Sequence, residues 1–341
     1  MTVEWRYVEA FAAHLARCGV QRDETVVILS ESQSRRSLVD ASRLAAQSLG
    51  SQVVDVVLPT PRETQPVPVR STGASHAIAG HRAALGALTS CDLVIDCTVE
   101  GLLHAPELGA ILGSGARVLM VSNEHPDVFD RLGWDPALPD EVDAGHQRLR
   151  AAHTMQVTSA YGTNLTVQLS GAFTAGSTGL TSGPGTIAHW PGGLVLAFPA
   201  QHSVHGTLVL APGDANLTFN RYMESAVILT IDDDHIVRIE GDGLDAELFR
   251  SYLSAFGDRH SYATSHVGWG ANRRARWDTL ALYDRRELWG TELRAFAGNF
   301  LYSCGANEVA GRFTRGHFDL PMRNCTVTLD GDAVVQDGVL L

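Results

Sequence analysis

The sequence predicts an α/β domain on a parallel sheet (residues 1–150), followed by a β-rich α+β domain (residues 151–341). Two observations carry this expectation. Up to about residue 150, short wholly apolar runs alternate with segments of helical periodicity, as in parallel sheets covered on both faces. From His153 onward the chain turns to Gly, Thr and β-branched residues, with closely spaced turn signals such as SGPG, PGG and APGD.

The elements follow in order. Val3, Tyr7, Phe11 and Leu15 recur at helical spacing, and Gly19 closes that helix. TVVIL (Thr25 to Leu29) is a strand, Ser37 to Leu49 a helix stopped by Gly50, and VVDVVL (Val53 to Leu58) a strand ended by Pro59 and Pro61. His76 to Leu88 reads as a helix, Leu93 to Ile95 as a strand, Pro106 to Leu112 as a helix and Val118 to Val121 as a strand. In the second half, Leu165–Leu169, Gly193–Phe198 and Gly206–Leu210 are expected strands. Leu244–Phe256 and Leu288–Ala297 are expected helices. Cys325–Leu329 and Val334–Val335 should form a closing hairpin around Asp330-Gly331.

Composition removes several classes of function. Lys plus Arg total 26 against 38 Asp plus Glu, a net charge of -12, which phosphate backbones and anionic lipid repel. No apolar run approaches the roughly 20 residues of a membrane span, and the charged N-terminus does not read as a signal peptide. Five scattered cysteines without a CxxC suit reduced thiols and a cytoplasmic location. After the first strand, SESQSRRS holds no glycine, so neither a dinucleotide-binding turn nor a phosphate-cradling loop is present there. No GxSxG elbow supports a serine nucleophile. Asp232-Asp233-Asp234 reads as a solvated turn between strands.

The sharpest local feature is RGHFDLPM, residues 315–322. On an extended strand, His317 and Asp319 point to the same face, which is two-thirds of a 2-His-1-carboxylate site of the kind that holds non-haem Fe(II). His266, in the small-residue and aromatic setting SHVGWG, is a candidate third ligand and reads as lying in a buried loop. His189, His202, His205 and His104, the last at the start of the HAPEL helix, compete with it.

RGHFDLPMRNCTVTLDG, SHVGWGANRRARWD, AGNFLYSCGAN and ETVVILSESQSRRSLVDASRLAAQSLGSQVVDVVLPTP together resemble 2,5-dihydroxypyridine 5,6-dioxygenases, over nearly the whole chain. The resemblance implies one Fe(II) held by His266, His317 and Asp319. It further implies a general base at His104 and contacts to substrate or oxygen from His189 and Ser303. The implied reaction opens a hydroxypyridine between C5 and C6 to N-formylmaleamate. Expected partners are that small molecule, O2 and further copies of the chain as a homo-oligomer, without nucleic acid or membrane. The alternatives are a dioxygenase of another hydroxylated heteroaromatic, or an aminopeptidase-like metallohydrolase of related fold. Those peptidases carry metal-binding glutamates where this chain is matched to Leu194 and Asn299, a departure that speaks for a single metal.

Overall fold

A computed structural model describes residues 3–62, 75–181 and 183–341. The fold class is as the sequence predicts: a helix-covered parallel sheet, then a strand-rich region of antiparallel sheets. In spatial order the parallel sheet runs Gln52–Leu58, Thr25–Glu31, Leu93–Cys97, Arg117–Met120, Ile187–His189. Its fifth strand comes from far along the chain and pairs parallel to Arg117–Met120, placing His189 beside Met120. Helices cover both faces. Trp5–Arg17, Arg36–Ser48 and Pro126–Leu132 pack on one, Arg82–Leu88 and Leu108–Gly113 on the other.

Beside a two-stranded ribbon (Ala215–Asn216 with Arg221–Tyr222), two larger antiparallel sheets follow and stack on a shared core. One has eight strands. The other has five, in the order Arg312–Met322, Phe300–Asn307, Thr264–Gly270, Leu194–Phe198, Phe173–Ser177. Period-two alternation divides this second sheet cleanly. Val195, Ala197, Val267, Trp269, Phe300, Tyr302, Phe318 and Leu320 face the stacked core. Leu194, Leu196, Phe198, His266, Leu301, His317 and Asp319 instead line a cavity on the other face. Slipping the last strand by one residue would drive His317 and Asp319 into the core, so the apolar residues set the register of the polar ones.

Several local expectations need correction. The helix expected from His76 begins only at Arg82, after Gly80 at φ +76. Within Leu288–Ala297 only Thr291–Ala295 is helical, because Gly290 enters left-handed and Phe296 bridges to Asn272. Helices Pro126–Leu132 and Leu138–Ala151 were not anticipated. Asp234 is not part of a solvated turn: its carboxylate is buried, pairs with Arg312 and accepts the Ser203 and Val204 amides. Among the described residues, no helix is long and apolar enough to cross a membrane.

His14, on the first helix, is buried and lies 2.9 Å from the Gly179 carbonyl, to which Nε2–H donates. Burial pushes its pKa from 6.5 down to about 4. It is therefore neutral in the fold but protonated in the unfolded chain once pH drops below 6.5. Its contribution is complete above pH 6.5 and is lost as pH falls towards 4, amounting to about 3 kcal/mol. Urea unfolding across pH 7 to 4 should show that loss in the wild-type chain and a flatter profile in His14→Gln. Parallel profiles would contradict it.

Candidate metal centre and substrate cavity

The cavity, about 330 Å³, lies between the carboxyl end of the parallel sheet and the outer face of the five-stranded sheet. Small-molecule sites commonly occupy this end of open α/β sheets. Leu103 and His104 enter it from a turn after strand Leu93–Cys97. Asp96 secures the start of that loop by accepting from the Thr98 amide and hydroxyl and from the Leu102 amide. His104 thus sits in a turn and does not open a helix, which starts only at Leu108.

Three neighbouring strands supply His266, Ser303, His317 and Asp319. Ser303 pairs with Asp319 and Gly305 with His317 across antiparallel strands, so these four share one patch. Gly305 has φ +124, and a Cβ there would lie 2.2 Å from the Gly316 carbonyl oxygen and 3.0 Å from His317 Nδ1. The absent side chain lets the two strands approach and leaves room for the imidazole. His266 is in a strand, not the expected loop, and a register shift falls between Thr264 and Val267. At that bulge Ser265 and His266 oppose Ser303 alone, which re-aims His266 towards the carboxylate.

Hydrogen counting shows what the cluster lacks. Ser265 Oγ donates to the Ala306 carbonyl, so it must accept from His266 Nδ1 at 3.1 Å. That fixes a lone pair on His266 Nε2, which lies 2.9 Å from Ser303 Oγ and 3.6 Å from Asp319 Oδ1. Ser303 also bonds Asp319 Oδ1, yet its hydroxyl has one proton for two acceptors. His317 Nε2 is 3.1 Å from the same oxygen, while its Nδ1 is buried with no partner among the described residues. Two imidazoles and a carboxylate therefore converge with too few hydrogens, the donor set a divalent cation would satisfy.

The electrostatics agree. Burial pushes His266 down to about 3 and lowers His317, so both are neutral at pH 7. Burial alone would lift Asp319, but Arg294 and His317 beside it hold its carboxyl well below the usual range. Arg294 Nε donates to Asp319 Oδ2 at 2.6 Å and Nη1 to the Trp289 carbonyl at 2.8 Å. Its Nη2 is buried without a partner among the described residues. His189, pushed down to about 3 by burial and Arg294, lines the same cavity, its Nδ1 without a partner among the described residues.

The six residues to which the family resemblance assigns roles thus meet here, Ser303 through its bonds to His266 and Asp319. Ring nitrogens of His104, His266 and His317 fall within 4.8 Å of one another, so a three-histidine set is also geometrically available. His202 and His205 lie elsewhere, exposed, facing Asp233 and Asp232. Leu194 forms part of the apolar wall. Asn299 is committed to the backbone of Gly270, Leu293 and Arg294. Neither provides a carboxylate for a second metal. Sequence reading missed Arg294, which lies 25 residues before its partner, and Glu308, whose partner His104 is 204 residues away.

Comparison with known proteins gives a consistent picture. A family model for 2,5-dihydroxypyridine 5,6-dioxygenase matches residues 6–341. A Pseudomonas putida KT2440 protein described as 2,5-dihydroxypyridine 5,6-dioxygenase is 37% identical over 328 residues, covering 94% of this chain and 91% of that one. The solved structure of 2,5-dihydroxypyridine dioxygenase from Pseudomonas putida KT2440 superposes with a TM-score of 0.90 at 33% identity, over 98% of this chain and 96% of the other. Wild-type AmpT from Thermus thermophilus shares the fold, with a TM-score of 0.59 at 14% identity over 99% of both chains.

Proposed function

Since the chain belongs to the 2,5-dihydroxypyridine 5,6-dioxygenase family, we propose that it uses O2 to open 2,5-dihydroxypyridine between C5 and C6, with one Fe(II) held by His266, His317 and Asp319. The carrying observation is the convergence of two neutral imidazoles and a carboxylate with too few hydrogens between them. A facial set of this kind, when it holds Fe(II), leaves adjacent positions at which a ring oxygen and O2 can be brought together.

The chain's own groups do the rest. His104 presents to the cavity a buried Nε2 that has no partner among the described residues, and takes the proton of the ring hydroxyl, which makes the ring electron-rich. Arg294, already paired with Asp319 through Nε, meets the second ring oxygen with Nη2, which gives that N–H group an acceptor. Ser303 and His189, neutral and fixed on their strands, offer hydrogen bonds to substrate or oxygen. Leu196, Phe198, Ile187 and Leu301 enclose the ring and keep water away from it. Both oxygen atoms enter the product, N-formylmaleamate, so no NADH or oxoglutarate is consumed.

Anaerobically prepared protein should contain one iron per chain and consume one O2 per 2,5-dihydroxypyridine. Oxygen-18 from O2 should appear in the product. If both new oxygens came from water, or if zinc, cobalt or manganese gave robust peptide hydrolysis, this reading would fall.

A further inference from the structure

His104 owes its orientation to a residue outside the cavity. Its Nδ1 lies 3.1 Å from Glu308 Oε1 and 3.4 Å from Oε2. Glu308 is not among the residues lining the cavity. It opens the short turn Glu308–Ala310, which joins the strands bearing Ser303 and His317. That turn is anchored: Asn307 accepts from the Ala310 amide and donates to the Pro199 carbonyl, while Gln201 donates to the Ala310 carbonyl. The His104 side chain is 1% exposed and that of Glu308 43%, so the carboxylate keeps its water while gripping a buried ring.

We propose that Glu308 is the positioning residue for His104, fixing the proton on Nδ1 and aiming the Nε2 lone pair at the substrate hydroxyl. A carboxylate only accepts, so the Nδ1 that faces it must carry hydrogen. Nε2 is then the basic nitrogen, and it is the atom left buried without a partner among the described residues. Without Glu308 the ring is free to hold its proton on either nitrogen, and the tautomer with Nε2–H cannot take one from substrate. The grip also crosses the interface, because His104 follows a parallel-sheet strand whereas Glu308 belongs to the five-stranded sheet. This inference rests on His104 acting as the base.

The test is a double-mutant cycle on the iron-loaded enzyme. Glu308→Ala should lower kcat about 10- to 100-fold, with KM for 2,5-dihydroxypyridine and iron content unchanged. In a His104→Ala background the same change should have no further effect. Glu308→Gln, which keeps shape but not charge, should fall between, and it serves if the Ala variant fails to fold. Wild-type kcat in Glu308→Ala, beside a slow His104→Ala, would overturn the role of Glu308 alone. An equal loss in both backgrounds would make Glu308 merely structural and overturn it too. Iron lost from Glu308→Ala would place His104 among the ligands, also against the proposal. Full kcat in His104→Ala would fell the base reading and this inference with it.

Discussion

Replacing Asp319 by Ala is expected to strip the chain of iron and reduce O2 uptake with 2,5-dihydroxypyridine by about 1,000-fold or more. Among the described residues, Asp319 is the one carboxylate in the cavity lining, and its Oδ1 sits 3.1 Å and 3.6 Å from the two histidine nitrogens. Without it two neutral imidazoles face a divalent cation next to the Arg294 guanidinium. The substitution also leaves the buried Arg294 guanidinium without its carboxylate, at a cost of about 3–5 kcal/mol. Asp319→Asn keeps the shape and should show the same iron loss with less destabilisation. Metal analysis and an oxygen electrode read both. Full iron with full turnover in either variant would remove Asp319 from the ligand set.

The second large effect is expected at Arg294. Arg294→Met removes the hydrogen bond to Asp319 Oδ2 and the buried Nη2 assigned to the second ring oxygen. A charged hydrogen bond of this kind contributes about 1.5–3 kcal/mol, so affinity for 2,5-dihydroxypyridine should fall about 10- to 100-fold. Binding of 3-hydroxypyridine, which lacks that oxygen, should change far less. Competition assays on iron-loaded protein compare the two directly. Equal losses for both ligands would mean that Arg294 acts only through Asp319.

These two residues also mark what sequence could and could not reveal. His317 and Asp319 were legible because strand periodicity puts positions i and i+2 on one face, while Phe318 and Leu320 between and after them turn to the core. His266 was legible as a residue but not as a strand position. Gly268 and Gly270 suggest a loop, yet their role is close strand approach: a Cβ on Gly268 would lie 1.9 Å from the Val195 carbonyl oxygen. Arg294 carried no local signal, since an Arg in TELRAFAG resembles any exposed helical cation until the distant Asp319 is brought against it. Glu308 stayed hidden for the same reason. The two overlooked helices are charged along much of their length, and their tertiary packing outweighs weak apolar periodicity.

The return of Ile187–His189 to the parallel sheet bears on how the chain is made. As the polypeptide leaves the ribosome, the first four parallel strands are complete by Met120, but their last edge stays open. The chain must extend 69 residues beyond Met120 before His189 can pair with it. During that interval Arg117–Met120 presents unpaired backbone groups, a template for pairing with another nascent chain. A ribosome pausing between these points would lengthen that exposure, and a truncated product ending there would keep it. Pairing of the three-residue strand Ile187–His189 covers Arg117–Met120 and delivers His189 to the cavity, so the step that protects this strand also begins to assemble the site.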